Sequence, residues 1–269
     1  MKRSYFAALW LCLLFVATPG CAQKTDYSPT VGQAGKDVIW VPTPQTLVDT
    51  MLDMAKVTAS DYVIDLGSGD GRLVIGAAQR GATALGIEYN EELVALAILA
   101  AKEEGVSAKA TFKKADIFES DFSQATVITM YLLQSLNLKL RPKILNMKPG
   151  TRIVSNSFDM EEWKPDQTTT LEGAAPEGAS SSWQTAHLWI VPAKVDGAWK
   201  LANGQIRFVQ NFQNITGTLT IKEKTTALVG KLDGNKIRFS AGDVEYVGTV
   251  SGNTISGTHG GGVSWKATR

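Results

Sequence analysis

Cysteine and histidine are almost missing from this chain. Its 269 residues hold two cysteines, Cys12 and Cys21, and two histidines, His187 and His259. That is too little for a Cys/His zinc site, and cysteines confined to the first 21 residues exclude a disulfide framework. A Ser-His-Asp hydrolase would have to use one of those two histidines. Charge of one sign is lacking too. The net charge of +1 gives bulk electrostatics no grip on nucleic acid or an anionic membrane, so no nucleic-acid partner is expected. What remains, 44% hydrophobic and 20% charged residues, is ordinary globular material, long enough for one large or two modest domains.

The first segment reads as an address. Met1-Lys2-Arg3 precedes an apolar run from Tyr5 to Ala17, then Thr18-Pro19-Gly20-Cys21-Ala22. A basic start, a short apolar run and small residues at its exit describe a secretory signal over residues 1–22. The run is shorter than the ~20 residues of a spanning helix. Gly20-Cys21 resembles a lipoprotein processing site, and cleavage after Ala22 is the alternative. Either way the expected location is outside the cytoplasm, in a bacterial periplasm or tethered to the envelope by a lipid on Cys21.

Residues 23–39 are polar, contain Gly32 and Gly35, and read as a linker. Thr43-Pro44 looks like an N-cap with proline at the first helical position, ahead of Leu47, Val48, Met51 and Leu52 at helical spacing. Over residues 40–193, short apolar runs alternate with amphipathic stretches. The expected strands are Tyr62–Leu66, Ala84–Glu88, Ala110–Lys114, Thr126–Tyr131, Arg152–Phe158 and His187–Pro192. The expected helices are Arg72–Arg80, Glu91–Glu104 and Leu136–Leu145. This alternation predicts an α/β fold with a parallel sheet covered on both faces.

Composition shifts after Pro192. The last 77 residues hold 12 of the 25 glycines and no proline. They read as eight short alternating strands with turn signals at Asp233-Gly234-Asn235 and Ser251-Gly252-Asn253. This predicts a small antiparallel meander or barrel over residues 196–269, separable from the first domain. The tail carries ten Lys/Arg against five Asp/Glu, a basic module on an acidic one.

The richest stretch is Val63-Ile-Asp65-Leu-Gly67-Ser68-Gly69-Asp70-Gly71-Arg72. A buried strand ends in alternating glycines and a helix begins at once. Glycine permits close backbone approach to a ligand, and the helix N-terminus offers free N–H groups. The spacing is Gly-x-Gly-x-Gly, not the Gly-x-Gly-x-x-Gly of a pyrophosphate site. Asp65 and Asp70 beside the loop suit a cationic ligand. Glu88, at the tip of the second strand, can accept both hydroxyls of a ribose. Asp116 and Ile117, at the third tip, can hold the edge and face of an adenine. Ribose, adenine and a positive group together describe S-adenosylmethionine. The candidate cofactor-binding set is Asp65, Gly67, Ser68, Gly69, Asp70, Gly71, Glu88, Asp116 and Ile117, with no metal.

Residues 62–131 resemble the cofactor half of class I S-adenosylmethionine-dependent methyltransferases. That resemblance implies a Rossmann-like, seven-stranded sheet with a reversed last strand. Trp40-Val-Pro-Thr-Pro44, the Asp-Leu-Gly-Ser-Gly-Asp-Gly-Arg run and Tyr131-Leu-Leu are similar to the broad-specificity archaeal protein lysine methyltransferases and their mitochondrial relatives. The implied partner is a protein substrate with exposed lysines. Val41-Pro-Thr is similar to the segment that closes over the cofactor there. Tyr131, Thr43 and Trp40 are therefore the candidates for the acceptor channel. The export signal and the glycine-rich module depart from that family. Two other readings stay open: methylation of a small molecule or envelope component, and a non-catalytic binding module. In the latter, Trp199 and Trp265 would stack on a sugar, although they also suit the core of a small barrel.

Overall fold

The computed structural model describes residues 27–171 and 184–269. The expected signal, with Cys12, Cys21 and both processing sites, lies outside them. Among the described residues no helix is long and apolar enough to cross a membrane.

The first unit is a seven-stranded sheet. Strands β1 (Tyr62–Leu66), β2 (Thr83–Glu88), β3 (Ala110–Lys114), β4 (Val127–Met130) and β5 (Arg152–Asn156) run parallel, in the order β3-β2-β1-β4-β5. The sheet continues through β7 (Thr185–Ile190) to β6 (Gln167–Thr170), and β7 is antiparallel to both neighbours. Central strands buried on both faces need apolar runs, which Val63, Ile64 and Leu66 supply. Helices α1 (Gln45–Met54) and α2 (Arg72–Gln79) bury Leu47, Met51, Leu52 and Val74 on one face of the sheet. Helix α3 (Glu91–Glu103) lies beside β2 and β3. On the opposite face, α4 (Gln134–Ile144) packs Leu140 and Ile144 against Ile64, Ile128 and Ile153.

Two local expectations differ from what forms. Asn90 caps α3, accepting from the Glu92 and Leu93 amides. Thr43 does not cap α1: the helix starts at Gln45 behind Pro44, with no side-chain cap. The Thr43 hydroxyl is taken instead by Asn156 Nδ2 at 3.2 Å. The seventh strand, β6, escaped the sequence pattern because Gln-Thr-Thr-Thr carries no apolar residue and forms a largely exposed edge.

The second unit is a closed antiparallel barrel of β8 (Gly197–Leu201), β9 (Gly204–Asn211), β10 (Asn214–Ile221), β11 (Lys224–Asp233), β12 (Lys236–Ala241), β13 (Val244–Ser251), β14 (Thr254–His259) and β15 (Val263–Thr268). Strict alternation fills its interior with Trp199, Ile206, Phe208, Leu219, Ile237 and Phe239, all nearly inaccessible. Trp199 and Trp265 are core residues, so the sugar-stacking role has no exposed ring to use.

One of the hairpin tips that fasten the barrel to the sheet carries an unusual residue. The barrel's tight turns put glycine at the first position in three places, Gly234, Gly242 and Gly252, all with positive φ. The β9–β10 turn puts Phe212 there, with φ +54°. A bulky residue resists that conformation. The compensation is a stack on Trp163, with ring centroids 5.9 Å apart and planes 13° from parallel. The next residue, Gln213, donates to the Lys164 carbonyl at 2.8 Å, and Lys231 pairs with Asp166 at 2.8 Å.

Candidate active site

The carboxyl ends of the parallel strands open into a cavity of about 640 Å³, within the range of small-molecule sites. Its floor is the glycine loop, where Gly67, Gly69 and Gly71 take φ of +79°, +53° and +84°. At Gly69 a Cβ would lie 2.8 Å from the Trp40 indole nitrogen, so only glycine admits this approach. Gly71 serves another purpose. It does not line the cavity, and a Cβ there would strike Phe112 and Ala97 at 2.7 and 2.8 Å. Its expected cofactor contact is thus replaced by helix–sheet packing. Ser68 is buried with its hydroxyl against Gly86, so its backbone is what it offers.

Glu88 is fixed before any ligand arrives. Its Oε2 accepts from the Gly69 amide at 2.9 Å and its Oε1 from the Asn90 amide at 2.8 Å. Each oxygen keeps a further lone pair, the complement of a vicinal diol. Asp116 Oδ1 accepts from the Phe118 amide at 2.8 Å, while Lys36 ion-pairs with Oδ2. That Lys36 hydrogen bond holds the Asp116 carboxyl below its usual range. Lys36 also lies 4.8 Å from the Tyr89 ring. The polar segment read as a linker therefore contributes Gln33 through Ile39 to the cavity wall.

Asp65 is the most perturbed group. It is 2% exposed and accepts from the Thr129 hydroxyl at 2.7 Å. Burial, with Glu88 and Asp70 adding repulsion, raises it from 3.8 to about 7. A carboxyl raised in the folded state favours the protonated fold, so stability is lost as pH climbs between those two values. Ligand-free protein is therefore expected to melt at lower temperature at pH 8 than at pH 5, and Asp65→Asn should flatten that slope. Calorimetry across pH that finds the same slope in both proteins would refute this.

Arg72, absent from the expected set, joins two parts of the site. Its guanidinium grips Asp70 and donates from Nη1 to the Thr43 carbonyl at 2.6 Å. Thr43 is 4% exposed, held by Arg72 through its carbonyl and by Asn156 through its hydroxyl. Trp40 roofs the glycine loop. Tyr131 stands on the opposite wall, stacked on Phe158 with centroids 6.4 Å apart, and burial raises its phenol above the ordinary range. Apart from Gly71, every cofactor-binding and acceptor-channel candidate taken from the sequence lines this one cavity.

The donor set fits an S-adenosyl group: a diol acceptor at Glu88, an edge acceptor and apolar face at Asp116 and Ile117, and a wall whose carboxylates outnumber Lys36 and Arg72. Comparison with known proteins agrees. A family model for the ANTKMT methyltransferase domain matches residues 65–167. A protein-lysine N-methyltransferase of Saccharolobus islandicus (strain REY15A) is 43% identical over 138 residues, covering 50% of this chain and 86% of that protein. The adenine nucleotide translocase lysine N-methyltransferase of Mus musculus is 36% identical over 105 residues, 38% of this chain and 46% of that one. A solved structure described as an RNA methyltransferase from Salinibacter ruber, in complex with S-adenosyl-L-homocysteine, is 46% identical with a TM-score of 0.52. It covers 58% of this chain and 96% of that one. With its fold, its cavity and these relatives in agreement, the chain belongs to this family of S-adenosylmethionine-dependent methyltransferases.

Proposed function

We propose that the acceptor is the side-chain amine of lysine in a protein substrate. The observation that carries this reading is the wall opposite the glycine loop, where Tyr131 and Phe158 stack and Leu133 and Leu136 continue the apolar surface. An apolar slot accepts the methylene stem of lysine and penalises its charged head, so the amine loses its proton on entry. The cofactor, when bound, supplies an electrophilic methyl group on a sulfonium. In this reading Glu88 orients it through the ribose, Asp116 and Ile117 through the adenine, and Asp65 and Asp70 favour its positive charge. The protein's work is then positioning and exclusion of water. The relatives named as lysine N-methyltransferases support this choice of acceptor.

An RNA acceptor is the second reading, favoured by the description of the Salinibacter ruber protein. Asp37, Asp65, Asp70, Glu88 and Asp116 in the wall count against it, because they repel phosphates. Radiolabel from S-adenosylmethionine should enter an unstructured lysine-rich protein and not RNA. Below the ordinary lysine pKa the rate should climb with pH as free amine accumulates, up to about tenfold per unit. Label in RNA, or none in lysine by mass spectrometry while the cofactor still binds, would sink the lysine reading.

A further inference from the structure

A guanidinium is out of place in a cavity whose ligand carries a positive sulfonium, yet Arg72 lines it. Its hydrogen bonds show what it does there. Nε donates to Asp70 Oδ1 at 2.9 Å, and Nη2 pairs with Oδ2 of the same carboxylate. This side-on grip offsets the charge and fixes the plane of the fork. Nη1 is then left to donate to the Thr43 carbonyl at 2.6 Å. Arg72 also opens α2, whose next residues Leu73 and Val74 are buried, so the base of the side chain is anchored.

Thr43 receives this bond at a stiff point of the chain. It lies between Pro42 and Pro44, which restrict the backbone on both sides. The first carbonyl used by α1 is that of Pro44, which accepts from the Leu47 and Val48 amides at 2.9 and 3.0 Å. The Thr43 carbonyl, in a residue 4% exposed, therefore depends on a side chain, and Arg72 supplies it. The Thr43 hydroxyl bonds to Asn156 at 3.2 Å, at the tip of β5. That strand ends because Ser157 turns into the left-handed region, φ +64°, with its amide on the Thr185 carbonyl at 2.7 Å. One residue is thus held by the glycine loop and by β5 at once. Three positions upstream, Trp40 is half-buried against Gly69, closer than any other residue at 69 would allow.

We propose that Arg72 is a positioning residue: it pins the closing segment at Thr43 and so holds the Trp40–Pro42 wall in register with the glycine loop. A lysine would keep the charge but not the work. Its single ammonium has no rigid fork with which to hold the Asp70 carboxylate side-on and the Thr43 carbonyl together. Asp70 in turn aims the fork.

The substitution that separates geometry from charge is Arg72→Lys. With polylysine and saturating radiolabelled S-adenosylmethionine, an arm that rests on the amine reading above, R72K should lower kcat about tenfold or more. Calorimetric affinity for the cofactor should stay within about threefold, because Glu88 and Asp116 are untouched and the cavity charge is unchanged. R72K/D70N should match R72K in kcat, since without the fork Asp70 has nothing to aim. A further readout needs no turnover. Acrylamide quenching of Trp40, taken as the difference between each protein and its W40F version, should rise in R72K. The remaining tryptophans, read in W40F and R72K/W40F, should quench alike. Arg72→Gln, which removes the charge as well, should loosen Trp40 to the same degree. Wild-type kcat in R72K, unchanged Trp40 quenching, additive losses in the double variant, or loosening of all tryptophans would overturn the positioning role. No methyl-lysine from the wild-type chain, with Trp40 still loosened in R72K, would overturn the amine reading and leave the positioning role standing.

Discussion

Alanine at Glu88 is expected to weaken S-adenosylmethionine binding by roughly 30- to 1000-fold, about 2–4 kcal/mol. Two losses combine. The ribose diol loses its charged acceptor, and the Gly69 and Asn90 amides lose the carboxylate that holds them. Glu88→Gln should fall between wild type and alanine, because one amide oxygen still accepts while the NH₂ faces a backbone donor. Asp65→Ala should cost less, since its carboxyl bonds to Thr129 on the neighbouring strand rather than to the ribose. Calorimetric titration distinguishes these cases. Unchanged affinity in Glu88→Ala would end the assignment of the ribose to the β2 tip.

Trp163→Ala should remove about 3–5 kcal/mol of folding stability, the range for a large buried aromatic. Trp163 is fully buried between Trp189 and Phe212. Its carbonyl also accepts from the Trp189 indole at 2.6 Å. Because Phe212 belongs to the barrel, the loss should fall on both units, separating one unfolding transition into two. Phe212→Gly should cost less. It relieves a left-handed backbone, worth about 1–2 kcal/mol, while losing the stack and its burial, a loss somewhat larger than that relief. Chemical unfolding followed by circular dichroism and tryptophan fluorescence tests both. A Trp163→Ala protein within ~0.5 kcal/mol of wild type, or unfolding in two steps before any substitution, would show that the interlock contributes little.

Much of this was readable in the chain. The eight barrel strands follow from residues alternating around glycine turns, because one face of each strand is core and the other is water. The glycine loop, Glu88 and Asp116 were legible since each stands at a strand tip, where parallel topology sends its ligands. Other features had no local signature. Polar β6 is a strand only because β7 offers it an edge. Lys36 reaches Asp116 across 80 positions, a contact no window of sequence contains. Arg72 was in plain view at the end of the glycine motif, yet its grip on Thr43 depends on how the closing segment lies. Ser157 and Phe212 are illegible for a shared reason. Each occupies a backbone conformation that sequence rules reserve for glycine, and tertiary contacts alone justify it. The composition shift at Pro192 likewise suggested separable units, but it carried no hint of Trp163 stacked on Phe212.

The barrel is closed unevenly. Strands β10 and β11 pair along their whole length, from Asn214–Lys231 to Ile221–Lys224, whereas β15 and β8 meet at the single pair Thr268–Lys200. What reinforces that seam is Arg269, donating to the carbonyls of Lys194 at 2.9 Å and Asp196 at 3.2 Å while its guanidinium lies 4.5 Å from the Trp199 ring. The cylinder therefore behaves like a ribbon fastened by a clasp. Parting it there breaks the fewest bonds, and it uncovers two bare strand edges at once, each a template on which another molecule's strand can anneal. The arginine at the clasp thus guards the barrel against self-association by that route.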